Sequence, residues 1–150
     1  MTTTRHNPAR LRASAYPWSM PMETRYADMD PNRHLNNVAI SRFFEETRVR
    51  FNWHLLTAGP AINRPRYLVA HVSVDYLDEG HYPAPVVMGY GVLHIGTSSF
   101  RAGMAMFQHD KCIALCESVL VHRGESGPAP LPPALRDRLN AYIFPKGDPE

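Results

Sequence analysis

The sequence predicts an α+β domain in which a curled antiparallel sheet wraps around one long helix. Helical periodicity covers residues 37–56, whereas residues 67–122 alternate between apolar and polar side chains as strands do. Short turns divide the second region into four strands, and short turns favour antiparallel neighbours. One helix cannot cover both faces of such a sheet, but it can cover one face if the sheet curls around it. We therefore expect an edge or face to remain free for a second subunit.

The long helix is predicted from apolar residues at helical spacing. Gly59-Pro60 follows the pattern and is a strong stop signal. Glu46 and Arg50 lie four residues apart, which predicts an ion pair on the solvent side. The apolar positions that face the sheet are Ile40, Phe43, Phe44, Phe51 and Leu55.

A first strand is predicted over residues 20–27, before the helix, and four more follow it. Gly89 and Gly91 lie inside one of these later strands, where a glycine marks a bend or a close backbone approach, or is simply a tolerated small residue. The turns between the later strands are predicted at Asp78-Glu79-Gly80, Gly96-Thr97-Ser98 and His109-Asp110-Lys111.

Length and composition are those of a single-domain globular protein. A domain of 150 residues buries about 68–70% of its unfolded surface. The apolar share of 44% is ordinary, and a net charge of +2 implies no phosphate-rich partner such as nucleic acid. The first twenty residues lack a secretion signal, and no stretch has the ~18 apolar residues of a membrane span. We therefore expect a cytoplasmic protein without membrane association.

Two cysteines and two terminal segments complete the outline. Cys112 and Cys116 lie about 13 Å apart along a strand, too far for a disulfide, so we expect core thiols in a reducing compartment.

Residues 1–19 are interpreted as an irregular arm, 20–123 as the folded domain and 124–150 as a proline-rich tail with a short helix over 133–142. Three arginines of the arm are interpreted as a solvated tail: Arg5, Arg10 and Arg12.

The most informative segment is the polar stretch YADMDPNRHLNN at residues 26–37, directly before the helix. Its D-x-D-x-N pattern opens like a calcium loop, but that loop then needs glycine and glutamate where this chain has Arg33 and Ala39. Asp30 and His34 could hold a transition metal, yet no second His or Cys lies nearby in the sequence. We therefore predict no metal site.

Two interpretations of this stretch remain. In the first, Asn36 or Asn37 caps the helix, which stabilises it by about 1 kcal/mol, and the other polar residues form a hydrogen-bonded turn. In the second, the stretch is a reactive site, because free N–H groups and the macrodipole at a helix start stabilise an oxyanion that develops on a carbonyl. Asp30 would then attack the carbonyl or accept a proton from water, with Asn32 and His34 assisting.

The same residues resemble the hotdog-fold thioesterases, in particular the 4-hydroxybenzoyl-CoA thioesterase-like acyl-CoA thioesterases. The resemblance rests on Asp30, on the His34-Leu35-Asn36-Asn37 run before the helix, and on Glu45 with Arg48 within it. The D-x-N-x-H set also resembles the catalytic trio of plant acyl-ACP thioesterases. Strand segments such as VSVDYL and CESVLV extend the similarity over about residues 20–123. Arg33 departs from the pattern, because many relatives have glycine there.

The resemblance implies hydrolysis of an acyl-CoA or acyl-ACP thioester by a homodimer, or a dimer of dimers, with its sites at the subunit interface. No cofactor is implied beyond the coenzyme A of the substrate. The helix-start amides of Asn37 and Val38 would bind the carbonyl oxygen, and Glu45 is a second candidate carboxylate. Candidate substrate contacts are Ser98, Ser99, Arg101 and Tyr67. Two alternatives remain: a non-catalytic acyl-CoA-binding protein, and a hydratase or dehydratase of enoyl-CoA on the same fold.

Overall fold

A computed structural model describes residues 6–146, and its main feature is an antiparallel sheet curled around one central helix, which confirms the predicted fold class. The strands are β1 (Trp18–Met22), β2 (Tyr67–Tyr76), β3 (Val86–Ile95), β4 (Ser99–Gln108), β5 (Lys111–Gly124) and β6 (Gly127–Pro128). The helices are α1 (Asn37–Thr57) and α2 (Pro133–Asn140), and single 3₁₀ turns cover Pro8–Leu11, Ala13–Ala15 and Tyr26–Asp28. The strand order is β1-β3-β4-β5-β2, with β6 paired to β5.

Helix α1 packs on the inner face of the sheet. Its predicted apolar positions are all buried, and Phe51 is completely enclosed. The alternate residues of β3 and β4 point at this helix, because successive strand side chains face opposite sides. The inner face of these two strands consists of Val86, Met88, Tyr90 and Val92 on β3 and Phe100, Ala102, Met104 and Met106 on β4.

The first strand is shorter and earlier than predicted. It covers Trp18–Met22, whereas the prediction over residues 20–27 is wrong beyond Met22. The chain leaves the sheet because Thr24 donates its hydroxyl to the Ala84 carbonyl and a 3₁₀ turn begins at Tyr26. Alternation in the sequence does not reveal where the strand ends, since the Thr24 hydroxyl bonds a carbonyl sixty residues away.

The connection between β2 and β3 also differs from the prediction. Its turn signal predicts antiparallel neighbours, but β2 pairs with β5, so residues 77–85 cross the end of the sheet. Nine residues can span the three strand spacings involved, roughly 14 Å. The crossing is held by Gln108, whose side-chain amide bonds the backbone of His81 and the Ala84 carbonyl at 2.8–2.9 Å.

The N-terminal arm packs on the outer face of the sheet, so the interpretation of Arg10 as solvated is wrong. Arg10 is 2% exposed. Its guanidinium donates to the Tyr16 hydroxyl at 2.9 Å, to the Met104 carbonyl at 3.1 Å and to the Cys116 carbonyl at 3.2 Å. It also pairs with Glu117 at 3.3 Å. These four partners explain how a guanidinium can be buried.

The other two arm arginines differ from Arg10. Arg12 is exposed, as predicted, while Arg5 lies outside the described residues.

At the other end of the chain the predicted terminal helix is confirmed as α2. Arg138 of this helix donates to the carbonyls of Leu55 and Leu56 at the end of α1, at 2.7 and 3.3 Å. No helix within residues 6–146 is long and apolar enough to span a membrane.

Two strand glycines allow the arm and tail to lie directly on the sheet. A Cβ added at Gly89 would lie 2.6 Å from the Tyr16 ring, and one at Gly91 would lie 3.0 Å from Phe144. Of the two interpretations given for these glycines, close backbone approach is therefore confirmed.

Gly89→Ala is expected to lower the free energy of unfolding by about 1–3 kcal/mol, because the new methyl group forces Tyr16 off the sheet. Urea unfolding monitored by circular dichroism measures this loss. Combining the change with Tyr16→Ala provides the control, since the cost of Gly89→Ala should shrink once the ring is absent. Equal costs in both backgrounds would contradict the proposed clash.

The two cysteines are free thiols, and the structure confirms Cys116 as a core residue while leaving Cys112 half-buried. Burial raises the pKa of Cys112 to about 11 and that of Cys116 to about 12. The folded chain therefore retains thiol protons that the unfolded chain releases near pH 9. The stabilisation is complete below that pH and is lost as the pH rises towards 11 and 12.

We expect both thiols to react slowly with a thiol reagent in the folded protein at pH 8. The urea midpoint should fall as the pH rises from about 9, and fall less steeply in Cys116→Ala. Urea titrations at several pH values measure this slope in both proteins. Identical slopes would contradict the assignment of this pH dependence to Cys116.

Candidate active site

The polar segment before α1 folds into a narrow loop, and Asp30 begins the turn at its end. The Asp28 carbonyl accepts the Asn36 N–H and the Asp30 N–H donates to the His34 carbonyl, both at 2.8 Å. One Asp30 oxygen, Oδ1, accepts the backbone N–H groups of Asn32 at 2.9 Å and His34 at 3.2 Å. The other oxygen, Oδ2, has no hydrogen bond within residues 6–146 and remains available for chemistry.

Arg33, the departure noted in the sequence resemblance, lies in the turn of this loop. Arg33 has φ 64°, the left-handed conformation that glycine adopts without strain. Its N–H donates to the Asp30 carbonyl at 2.9 Å, which closes the turn. The Arg33 side chain is exposed on the surface of the loop.

The start of α1 presents two backbone N–H groups without an acceptor among the described residues. Asn36 is the N-cap, as predicted, and its side chain accepts the Ala39 N–H at 2.7 Å. The amides of Asn37 and Val38 precede the first intrahelical bond and remain unpaired. Since Val38 is 62% exposed, these donors face open space in a single subunit. Asn36, directly before them, pairs with Asp28, which precedes Asp30 by two residues in the facing arm of the loop.

His34 points towards the crossing loop between β2 and β3. Its Nε2 lies 3.1 Å from Glu79 Oε2, and its ring packs edge-on against His81 with centroids 5.3 Å apart. His34 therefore has a carboxylate that can orient its ring. Its link to Asp30 runs through backbone atoms, and Asn32 is exposed beside it.

Several residues around Asp30 were not predicted as parts of the site. Asp28 is 2% exposed, and its carboxylate accepts the Arg25 N–H at 2.8 Å and the Arg25 guanidinium at 3.0 Å, which anchors the base of the loop. In the sequence, the D-x-D spacing of Asp28 and Asp30 is the one feature that could have indicated a role for Asp28 in this site. A cleft of about 660 Å³ opens beside Asp30 and is lined by Tyr26, Met29, Asp30, Pro31, Arg33, His81 and Tyr82.

The remaining predicted residues lie elsewhere in the subunit. Glu45 is exposed on α1, eight residues and about 12 Å beyond Asn37. Tyr67 begins β2 and Ser98 precedes β4, so both lie at the end of the sheet opposite Asp30. Ser99 follows in the same hairpin, whereas Arg101 is exposed on the outer face of β4. Within one chain, the predicted site residues therefore lie at two distant ends of the sheet.

Neither of the sequence-based metal hypotheses gains a ligand set from the structure. In the described part of the chain no three His, Cys, Asp or Glu side chains form a group that could hold a metal ion.

The predicted ion pair between Glu46 and Arg50 is confirmed at 2.8 Å on the solvent side of α1.

Comparison with solved structures places the fold among thioesterases. A predicted thioesterase from Bacillus stearothermophilus matches with a TM-score of 0.76 at 24% identity, covering 87% of this chain and 98% of that one. A Pseudomonas aeruginosa protein matches at 0.78 and 28%, covering 89% and 96%. A thioesterase from Thermus thermophilus, solved with coenzyme A and Zn, matches at 0.74 and 29%, covering 85% and 95%. No curated protein matches the chain.

A sheet curled around a capped helix is the architecture of the hotdog fold. The family model described as the thioesterase-like superfamily matches residues 24–139, and the chain belongs to that family. The resemblance inferred from the sequence is thereby confirmed at the level of family, fold and hydrolase class.

Proposed function

We propose that the protein hydrolyses acyl-CoA thioesters to a free acid and coenzyme A, with Asp30 as the reactive carboxylate. The observation that carries this proposal is the unbonded Asp30 Oδ2 in the loop that leads to the two free amides of α1. A coenzyme A complex of a relative 29% identical to this chain supports CoA over carrier protein as the thiol.

The arrangement suits attack on a carbonyl. The thioester oxygen would accept hydrogen bonds from the Asn37 and Val38 amides, and the helix dipole would stabilise the charge that develops there. Asp30 would then accept a proton from the attacking water, or attack the carbon itself and be released by water. His34, held by Glu79, would supply the proton to the departing thiolate.

A two-fold dimer along β2 would complete this site. β2 is an edge strand of ten residues that pairs only with β5 among the described strands. It exposes several large apolar side chains, an arrangement that invites pairing with another strand: Leu68, Val69, Val72 and Tyr76.

The pairing geometry explains why the predicted residues are divided in one chain. The Tyr76 hydroxyl at the end of β2 lies 3.5 Å from the Asn37 carbonyl. Tyr67 at its start pairs with His122, whose N–H donates to the Ser98 carbonyl at 2.7 Å. Antiparallel pairing about a two-fold axis would bring the Tyr67 and Ser98 end of one subunit towards the helix start of the other.

The test is thiol release from a panel of acyl-CoA and acyl-ACP thioesters, combined with light scattering to determine the mass in solution. We expect turnover of at least one acyl-CoA by a dimer or a larger even assembly. Val72→Lys should weaken the dimer and reduce turnover together with it. Failure to hydrolyse any member above an Asp30→Ala background would overturn the proposal, as would full activity in a monomer.

A further inference from the structure

Gln108, the last residue of β4, is a buried amide whose side-chain hydrogen bonds all go to one loop. It is 4% exposed. Its Oε1 accepts the His81 N–H at 2.8 Å, and its Nε2 donates to the His81 carbonyl at 2.8 Å and to the Ala84 carbonyl at 2.9 Å. A primary amide offers one acceptor oxygen and two N–H donors, so every part of the group is in use. The two peptide groups on either side of His81 are therefore fixed relative to β4.

The residues next to this anchor hold the segment that carries His34. Glu79 Oε2 lies 3.1 Å from His34 Nε2, and the His81 ring packs edge-on against the His34 ring with centroids 5.3 Å apart. Between these two contacts the Gly80 carbonyl accepts the Leu35 N–H at 2.8 Å. Three consecutive loop residues therefore contact His34 or its neighbour, and the buried amide bonds the third of them.

The other backbone attachments of the crossing loop within residues 6–146 lie near its ends. At its start the N–H groups of Leu77 and Asp78 bond the Ile113 carbonyl, at 2.9 and 3.2 Å. At its end the Thr24 hydroxyl bonds the Ala84 carbonyl at 3.0 Å. The loop contains no helix or strand whose own hydrogen bonds would hold its middle part. The position of that middle part therefore depends on the buried amide.

We propose that Gln108 is a positioning residue for thioester hydrolysis, which holds residues 79–81 so that the His34 ring is directed at the departing thiolate. The inference rests on the proposed function, in which His34 supplies that proton. Gln108 is not among the residues that line the cleft beside Asp30, so it acts through His34. A proton donor contributes only within hydrogen-bond reach of its target, about 2.6–3.2 Å, so a small displacement of the loop lowers the rate.

The test is Gln108→Met, which preserves the length of the side chain and removes the amide. We expect kcat for the best acyl-CoA to fall about tenfold or more, with KM within about twofold of wild type. The reason is that His34 would act in the transition state rather than in substrate binding. Steady-state kinetics measure both constants.

A double-mutant cycle with His34→Ala separates positioning from a general effect on stability. If Gln108 acts through His34, Gln108→Met should change kcat by less than about twofold once the imidazole is absent. The same fold-loss of kcat in both backgrounds would overturn the inference. So would an unchanged kcat in Gln108→Met, or a rise in KM alone.

The matched control is Tyr16→Phe, which removes another buried hydrogen-bonding group, on the outer face of the sheet. The Tyr16 hydroxyl accepts from Arg10 Nε at 2.9 Å and donates to the Arg10 carbonyl at 2.8 Å. Both variants should lower the melting temperature, but Tyr16→Phe should leave kcat within about twofold of wild type. Equal losses of kcat in the two variants would overturn the inference. If Gln108→Met does not fold, Gln108→Asn replaces it with the same expected outcomes, since its amide is one methylene too short for the loop.

Absence of hydrolysis of every thioester would refute the proposed function instead. Nuclear magnetic resonance would then decide whether Gln108 positions His34. The ring-proton signals of His34, assigned by their loss in His34→Ala, should move in Gln108→Met because the neighbouring His81 ring is displaced. They should stay in place in Tyr16→Phe. Unmoved His34 signals in Gln108→Met would overturn the inference.

Discussion

Asp30→Asn should lower kcat for thioester hydrolysis by about 10²–10⁴, the usual contribution of a positioned acid or base. Asparagine retains an oxygen that can accept the Asn32 and His34 N–H groups, so the loop should retain its shape. It lacks the carboxylate needed for attack or proton transfer. Steady-state kinetics on the best acyl-CoA substrate measure the loss, and circular dichroism verifies the fold.

Asp110→Asn is the matched control for that experiment. Asp110 lies in the exposed β4–β5 hairpin with φ 63°, a conformation that asparagine also tolerates. The same loss of one charge there should leave kcat within about twofold of wild type, since exposed substitutions have small effects. A kcat for Asp30→Asn within a few-fold of wild type would refute the role of the carboxylate.

Replacing the buried Arg10 is expected to have a large effect on stability rather than on catalysis. Arg10→Met should lower the free energy of unfolding by about 3 kcal/mol, because it removes the buried cation beside Glu117 and the side-chain donor to the Tyr16 hydroxyl and to two strand carbonyls. Methionine preserves much of the apolar volume, so the loss reports mainly on the polar contacts. Urea unfolding of the full chain measures it as a lower midpoint.

Arg12→Met serves as the control, because Arg12 is an exposed residue of the same arm and the charge change is identical. Its effect should remain within about 0.5 kcal/mol. Similar midpoints for the two variants would show that the arm contributes no stability through Arg10. Arg10→Lys should recover little, since an ammonium cannot reach four acceptors in a fixed planar arrangement.

The sequence predicts the elements whose stability depends on local pattern. The periodicity of α1, its Asn36 cap and the two hairpins that join β3, β4 and β5 all follow from residues close in the chain. The loop around Asp30 is predictable for the same reason, because most of its hydrogen bonds join residues 25–36 to one another. Its contacts with distant residues include the Leu35 N–H bond to the Gly80 carbonyl and the His34 contact with Glu79.

Contacts between distant segments could not be predicted. The pairing of β2 with β5 depends on a crossing loop held by Gln108, and the burial of Arg10 depends on carbonyls more than ninety residues away. Only the register of the finished sheet brings these distant groups together.

The most direct test of the account is a crystal structure of Asp30→Asn with a non-hydrolysable acyl-CoA analogue. We expect the analogue's carbonyl oxygen to lie within about 2.7–3.1 Å of the Asn37 or Val38 amide, with its carbon beside residue 30. A carbonyl bound away from the start of α1, with residue 30 facing only solvent, would contradict it.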